Sequence, residues 1–204
     1  MPKPIPIHAS GLVTTMAGTA FLVTDETSTW LVTCVHAFSN LNDTPAEPRF
    51  FQSSHVQVLH GGPVIPLFVD GEKRFIVNTE MGTNILWDVI SIKLSIAEAA
   101  ALSEYGAFAL DQISEPKKGD DITLTGFPGL VSQATPFITL TAKVVDVQGA
   151  SIEFDQPSVP GWSGSPVFKN GTLFGMVHGD RGPPSKPYAG LAINLRVFKD
   201  YLFV

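Results

Sequence analysis

The chain contains a single cysteine, Cys34, among its 204 residues. One cysteine excludes an internal disulfide framework, so the fold must be stabilised by packing alone. We therefore expect a reducing compartment or a bacterial-type scaffold. Because Cys34 lies within an apolar segment that ends before His36, its sequence context indicates a small, buried core residue.

Positive charge is also scarce. The 13 Lys and Arg residues are outnumbered by 19 Asp and Glu residues, which gives a formal net charge of −6. No extended run of Lys or Arg occurs, so the chain lacks the basic surface by which proteins attract nucleic acid. We expect neither DNA nor RNA as a partner.

Long hydrophobic runs are absent as well. No segment approaches the roughly 18 uncharged apolar residues that a membrane-spanning helix needs. The N-terminus carries Pro2, Pro4 and Pro6 where a signal peptide would need an uninterrupted apolar stretch. From these absences we expect a cytoplasmic protein without a membrane partner. The sequence carries no indication of the oligomeric state.

What the chain does contain is a succession of short segments rich in β-branched and aromatic residues, separated by Gly, Pro, Asn and Asp. This rhythm is typical of an antiparallel β protein. Strands are predicted at 19–24, 30–35, 55–60, 64–69, 75–78 and 88–94, and then at 121–126, 137–147, 151–154, 165–169, 172–178 and 190–194.

Only two helices are predicted. One covers 99–105 after a capping box formed by Ser95 and Glu98, and the other covers 196–203. Three longer loops are predicted at 39–48, 80–86 and 179–187, and we expect them to border a binding cleft.

One turn near the C-terminus has the composition typical of a turn that carries a nucleophilic serine. Ser163 lies between Gly161 and Gly164, and glycines permit a sharp turn that exposes a serine hydroxyl and leaves N–H groups free. We predict Ser163 as the nucleophile and the N–H groups of Gly161 and Ser163 as the oxyanion hole. Ser165 is an alternative nucleophile, but it begins a predicted strand, so a turn hydrogen bond is its favoured role.

Two upstream residues supply the remaining groups that acyl transfer by serine requires. His36 ends an apolar strand and opens into a polar loop, which suits a general base. Asp88 begins a strand directly after Trp87, which suits a carboxylate that orients the base. The alternative carboxylates are Asp70, Asp121 and Asp155. The order His, Asp, Ser disfavours an α/β-hydrolase, in which the histidine comes last.

Six segments, in this order, resemble those of trypsin-like serine peptidases of the chymotrypsin fold. The resemblance is strongest to disulfide-free bacterial glutamyl endopeptidases and to HtrA/Deg-type protease domains. The segments are GTAFLV at 18–23, LVTCVHA at 31–37, DVISIKL at 88–94, GDDITLTGFPG at 119–129, FDQPSVPGWSGSP at 154–166 and GLAIN at 190–194.

The resemblance implies an all-β fold of two six-stranded antiparallel β-barrels with a short C-terminal helix. The first barrel would span 1–110 and carry His36 and Asp88, and the second would span 111–204 and carry Ser163. The implied activity is a serine endopeptidase that acts on proteins or peptides and needs no metal and no cofactor. The alternatives are a catalytically silent domain of the same fold that binds peptides or acts as a sensor, and a protease released by self-cleavage from a longer chain.

The resemblance also implies a substrate-binding surface, which comprises Trp162, Val177, His178, Gly179 and Gly190. Trp162 stands where these families usually carry Asp, Asn or Met. We expect its indole either to stabilise the oxyanion loop or to lie over the rim of the specificity pocket. His178 is one position later than the histidine that reads acidic side chains in glutamyl endopeptidases, so glutamate specificity is a hypothesis.

Overall fold

The computed structural model describes residues 1–11, 15–38, 51, 54–80, 86–129, 136–183 and 188–204. The predicted loop at 39–48 lies outside these residues. The predicted loops at 80–86 and 179–187 lie partly outside them.

The first half of the chain forms a curled β-sheet. Its strands are β1 (Ile5–Ser10), β2 (Thr15–Thr24), β3 (Thr29–Thr33), β4 (His55–Val58), β5 (Val64–Pro66), β6 (Phe68–Val69), β7 (Glu72–Lys73), β8 (Phe75–Thr79), β9 (Leu86–Lys93) and β10 (Ala107–Ala109). Eight of them form one sheet in the order β5-β4-β1-β2-β3-β9-β8, with β10 paired in parallel to β2, while β6 and β7 pair separately.

Two strands of this sheet are not predicted by the sequence. The strand β1 begins at Ile5 and includes Pro6, and the alternating prolines around it argue against a strand. Proline is tolerated near the start of a strand, where one missing N–H costs little in the ladder. The three-residue strand β10 is too short to leave a periodic pattern. It pairs with residues 22–24 of β2, beyond Ala20, the residue that pairs with the beginning of β1.

The second half forms a closed barrel of six antiparallel strands in the order β11-β12-β13-β16-β15-β14. These strands are β11 (Asp121–Gly126), β12 (Ile138–Gln148), β13 (Ser151–Phe154), β14 (Pro166–Lys169), β15 (Thr172–Arg181) and β16 (Ala189–Asn194). The predicted bounds of β11 and β13 agree with the structure. The prediction of two antiparallel β-units is confirmed, although the described part of the first is an open sheet rather than a closed barrel.

The two units share a hydrophobic core. One cluster of buried residues draws Phe21, Trp30 and Val89 from the first sheet together with Phe168 and Met176 from the second barrel. Separate clusters fill the interior of each unit. The predicted boundary between the two domains, at 110/111, falls between β10 and β11. It stays a prediction, and the shared cluster joins residues from both sides of it.

Both predicted helices are present. Helix α1 (Ile96–Ala101) begins at Ser95 with the predicted capping box to Glu98. Helix α2 (Leu195–Leu202) begins at Asn194, whose side-chain oxygen accepts a hydrogen bond from the N–H of Arg196. Within the described residues, neither helix has the length and apolar character that crossing a bilayer requires.

Helix α2 and the residues after it pack across the interface between the two units. It belongs to the second half of the chain, yet the ring of Phe198 lies 5.3 Å from the ring of Trp87 in β9. Phe203, which follows the helix, packs edge-on against Trp30 in β3 at 5.5 Å. These contacts fasten the second unit to the first sheet.

We expect Phe198→Ala to lower the free energy of unfolding by about 3–5 kcal/mol, because it leaves a cavity in the shared core. The neighbouring residue Val197 is 45% exposed, so Val197→Ala should change it by less than about 0.5 kcal/mol. Urea denaturation followed by circular dichroism measures both. Equal effects of the two substitutions would contradict the role given to Phe198.

Candidate active site

His36 emerges from a tight turn at the end of an apolar strand. After β3 the chain forms a single 3-10 turn at Val35–Ala37, in which the side chains of Val35 and Ala37 are buried. The turn is thereby held against the core, while the imidazole of His36 is 23% exposed. The strand predicted at 30–35 ends earlier, at Thr33, so His36 is held by this turn rather than by the end of the strand.

Asp88 lies inside β9 rather than at its first residue, and it is 4% exposed. A carboxylate removed from water needs hydrogen-bond donors. His36 supplies two of them: its backbone N–H donates to Oδ1 at 2.9 Å, and its ring Nδ1 lies 2.6 Å from Oδ2. The carboxylate and the imidazole are therefore fixed relative to each other at two points.

This pairing determines the tautomer of the imidazole. An ionised carboxylate can only accept hydrogen bonds, so Nδ1 of His36 carries the proton and Nε2 is left as an acceptor. Oγ of Ser163 lies 2.9 Å from Nε2 and donates to it. Burial lowers the pKa of His36, but the hydrogen bond and the charge of Asp88 raise it, and the net change is upward. The structure thus joins all three predicted residues in one hydrogen-bonded chain.

Ser163 occupies a four-residue turn whose shape depends on Gly164. The N–H of Ser165 donates to the carbonyl of Trp162 at 2.8 Å, and Gly164 at the third position has a φ of 86°. A positive φ at this position is characteristic of a type II turn and favours glycine. Ser163 therefore lies at the second position of the turn, where its hydroxyl faces His36.

A second turn precedes it and orients the predicted oxyanion hole. In the turn Val159–Trp162 the N–H of Trp162 donates to the carbonyl of Val159 at 3.0 Å, and Gly161 has a φ of 93°. No described residue accepts a hydrogen bond from the backbone N–H of Gly161 or of Ser163. Both groups are therefore available to an incoming oxygen, and their assignment as an oxyanion hole stays a prediction.

Thr19 of β2 holds the turn at 162–165, which carries the predicted nucleophile and is named the nucleophile turn, against the first sheet. Its N–H donates to the carbonyl of Ser163 at 2.9 Å, and its hydroxyl donates to the carbonyl of Gly161 at 2.9 Å. Thr33 in turn donates its hydroxyl to the carbonyl of Thr19 at 2.8 Å. Thr19 is not among the site residues predicted from the sequence. The signal was its place directly before the apolar run at 20–23, because a fully buried hydroxyl there needs a partner.

Cys34 is buried beside the triad, as its sequence context predicts. Its thiol donates to the carbonyl of Val177 at 3.3 Å, and burial followed by the charge of Asp88 raises the thiol's pKa. In the described part of the chain, Cys34, His36 and Asp88 are the one group whose donor atoms lie close enough together, within 4.8 Å, to hold a metal ion. A protonated thiol and a 2.6 Å hydrogen bond explain this cluster without a metal.

Three residues of the predicted substrate-binding surface have packing roles. The indole of Trp162 is 3% exposed and lies in the core of the second barrel, so it supports the oxyanion loop rather than covering a pocket rim. Val177 is fully buried, and its N–H and carbonyl bind Ser165 and Gly164. A Cβ at Gly190 would lie 2.2 Å from the ring of Phe154, so packing requires this glycine.

His178 and Gly179 are the partly exposed members of that surface, and for them substrate contact stays a prediction. Nδ1 of His178 lies 3.9 Å from Oδ2 of Asp88. The imidazole is thus directed toward the triad carboxylate.

The alternative nucleophile and the three alternative carboxylates all lie away from the imidazole of His36. Ser165 is fully buried, and its N–H closes the nucleophile turn. Asp121 is on the surface, 2.7 Å from Nζ of Lys143, while Asp155 accepts a hydrogen bond from the N–H of Lys143 at 2.8 Å. Asp70 is exposed in a turn with a φ of 52°. None of these lies in the hydrogen-bonded chain of His36.

The chain belongs to a known family. Residues 18–176 match the model of the trypsin-like peptidase domain, which covers most of the chain and includes all three residues of the hydrogen-bonded chain. The resemblance to trypsin-like peptidases is therefore confirmed at the level of the family. No curated protein matches the chain by sequence.

Solved structures confirm the fold as chymotrypsin-like. A thermostable serine protease, AL20, from an extremophilic microorganism has a TM-score of 0.63 and 12% identity, with 95% of this chain and 91% of that chain covered. The inactivated protease paralogue S-I1 of the scabies mite has a TM-score of 0.62 and 13% identity, with coverage of 98% and 92%. Kallikrein-related peptidase 10 in complex with Zn²⁺ has a TM-score of 0.60 and 12% identity, with coverage of 96% and 92%.

We expect Gly164→Ala to be much more destabilising than Gly171→Ala, although both glycines have a φ of 86°. A Cβ at Gly164 would lie 1.8 Å from the carbonyl oxygen of Thr19, whereas a Cβ at Gly171 would contact nothing. The left-handed backbone alone costs about 1–2 kcal/mol, and overpacking at Gly164 adds about 1–3 kcal/mol. Denaturant unfolding measures the difference, and equal losses would show that Thr19 does not confine the turn.

Proposed function

We propose that the protein is a serine endopeptidase that hydrolyses peptide bonds through an acyl-enzyme intermediate. The observation that carries this proposal is the continuous chain from Asp88 through His36 to Ser163, with contacts of 2.6 Å and 2.9 Å. Both distances lie within the reach that proton transfer between these groups requires. Membership of the trypsin-like peptidase family supports it.

In the acylation step, Oγ of Ser163 attacks the carbonyl carbon of the scissile peptide bond while Nε2 of His36 takes the hydroxyl proton. Negative charge develops on the carbonyl oxygen, and the N–H groups of Gly161 and Ser163 stabilise it. Asp88 stabilises the imidazolium that forms. Collapse of the tetrahedral intermediate breaks the C–N bond, and Nε2 gives its proton to the leaving amine.

In the deacylation step, water takes the place of the amine. Nε2 of His36 removes a proton from the water, whose oxygen attacks the ester carbonyl of the acylated Ser163. The second tetrahedral intermediate uses the same two N–H groups. Its collapse breaks the bond between the carbonyl carbon and Oγ and releases the carboxylic acid, while Nε2 of His36 gives its proton to Oγ, which regenerates the enzyme.

The catalytically silent alternative has less support. Trp162 motivated it, because an unusual residue before the nucleophile could obstruct the oxyanion loop. The indole lies in the barrel core, however, and leaves the N–H groups of Gly161 and Ser163 unobstructed by any described hydrogen-bond partner. The scabies mite paralogue shows that this fold also occurs in an inactivated protease, so activity has to be tested directly.

We expect a fluorophosphonate probe to form one covalent adduct with the protein, on Oγ of Ser163. Ser163→Ala should remove the adduct, while Ser165→Ala should retain it on Ser163, because the hydroxyl of Ser165 is buried. Intact-mass measurement followed by peptide mapping locates the label. An unlabelled wild-type protein, or a label that persists in Ser163→Ala, would refute the serine nucleophile.

Endopeptidase activity itself requires cleavage of a mixed peptide library. Wild-type protein should yield internal cleavages that are absent from a digest with Ser163→Ala prepared in parallel. A labelled protein that cleaves no peptide would contradict the endopeptidase function while leaving the reactive serine intact. The cleavage sites also report the side-chain preference.

We expect Asp88→Asn to slow the reaction with the probe by about four orders of magnitude, because the wrong imidazole tautomer is then stabilised.

The wild-type rate should rise with pH through a midpoint above 6.5, since Nε2 must be unprotonated and Asp88 raises the pKa of His36 from that value. The midpoint should move down in Asp88→Asn. Labelling rates measured between pH 5 and 9 test both effects, and an unchanged midpoint would contradict the pairing.

A further inference from the structure

A second imidazole lies beside the carboxylate of the triad. Nδ1 of His178 is 3.9 Å from Oδ2 of Asp88, the same oxygen that lies 2.6 Å from Nδ1 of His36. The separation is too long for a hydrogen bond but short enough for a strong interaction between charges. Asp88 therefore lies between two imidazoles, of which the proposed reaction uses one.

The geometry of β15 explains why His178 faces Asp88. Met176 belongs to the core shared by the two units, and Val177 belongs to the interior of the second barrel. Because side chains alternate along a strand, the next residue faces the first sheet again. The pairing with β16 also shifts between Val177 and Gly179, so His178 lies in a bulge, a feature that can redirect a side chain near an active site.

The charged and titratable groups around His178 come from several elements. They are Asp88 on β9, His36 on the 3-10 turn, Asp180 on β15, Glu80 directly after β8, and the thiol of Cys34 beside Asp88. Glu80, Asp88 and His178 line a common cavity of about 260 Å³. Burial lowers the pKa of His178; Asp88 and Asp180 raise it, His36 lowers it, and the net change is downward. The lowered pKa favours the uncharged imidazole of His178 at neutral pH, so that His36 is then the imidazole that binds Asp88.

We propose that His178 is a positioning residue that acts through Asp88: uncharged, it leaves the carboxylate to His36, and protonated, it competes with His36 for Oδ2. A charged His178 also repels the imidazolium that His36 must become during acyl transfer. This inference rests on the proposed function and deepens it. It is an alternative to the hypothesis that His178 reads an acidic substrate side chain, and the third experiment separates the two.

The consequence is that two protons govern the acid limb, the low-pH part of the plot of labelling rate against pH. Where one group must be unprotonated, the rate falls about tenfold per pH unit, and where two must be, it falls by up to about a hundredfold. We expect the wild-type labelling rate to fall more steeply than tenfold per unit once His178 becomes protonated. His178→Asn retains a polar side chain of similar reach near Asp88 and cannot become charged, so its limb should fall about tenfold per unit.

The first experiment measures fluorophosphonate labelling between pH 4.5 and 8 for wild type, His178→Asn and His60→Asn. His60 is exposed in a turn with a φ of 60°, which asparagine adopts readily, so it controls for loss of a histidine. With each profile normalised to its own rate at pH 8, a shallower fall at low pH in His178→Asn alone would support the proposal. Superimposable profiles for all three proteins would overturn it.

The second experiment needs no activity. In a Ser163→Ala background, nuclear magnetic resonance follows the ring protons of His36 during a pH titration, with and without His178→Asn. Because His36 binds its proton at higher pH than His178, the later protonation of His178 should appear as a second step, at lower pH, in the ring-proton shifts of His36, and His178→Asn should lack this step. Curves with a single step in both proteins would overturn the proposal. If the wild-type protein is not labelled but the second step occurs, the proposed function fails while the pairing of His178 with Asp88 stands.

The third experiment separates positioning from recognition of substrate. Two peptides that differ only by Glu or Gln at the cleavage position are compared in wild type and His178→Asn. A Glu/Gln ratio of kcat/KM that is the same in both proteins, with the low-pH change confined to kcat, supports a role through Asp88. A ratio that changes by about tenfold or more would assign His178 to the acidic side chain instead.

Discussion

The buried carboxylate of Asp88 is the constraint on which the site depends. A charge held at 4% exposure has to be satisfied by donors from the protein, and two of these come from one residue, His36. The backbone N–H fixes the 3-10 turn against β9, and the ring N–H fixes the tautomer. Nε2 then has only one role open to it, as an acceptor directed at the hydroxyl of Ser163. A local electrostatic requirement thus determines the geometry of a site built from distant segments.

The nucleophile turn depends in a similar way on the first sheet. Ser163 belongs to the second barrel, yet the carbonyls on either side of Trp162 are both bound by Thr19 of β2. The shared core, closed by Phe198 and Phe203 of the C-terminal segment, fixes the distance between the two units. Alignment of His36 with Ser163 is therefore a property of the interface, and neither unit contains the site alone.

Local patterns predicted most of the strands, both helices and the candidates His36, Asp88 and Ser163, whereas the arrangement that brings the three together was implied by the resemblance to trypsin-like peptidases. The elements that the sequence did not reveal are those that depend on distant partners. Strand β1 is masked by prolines whose missing N–H groups are tolerated only because of where the strand begins, and Thr19 resembles any strand threonine until its acceptors are known. Alternation along β15 directs His178 toward the first sheet, but the bulge at this residue is defined by its pairing with β16 and leaves no pattern in the sequence.

The oxyanion turn and the imidazoles respond differently to pH. The turn is held by backbone hydrogen bonds, by the hydroxyl of Thr19 and by the indole of Trp162 in the barrel core, and none of these groups titrates. An ionisable residue in place of Trp162 would make the shape of the turn depend on a proton. With tryptophan there, the groups that hold the predicted oxyanion turn keep their charge state as the pH changes. In the proposed reaction the pH dependence is therefore assigned to the imidazoles of His36 and His178, whose shifts in pKa both depend on Asp88, rather than to a change in the shape of the turn.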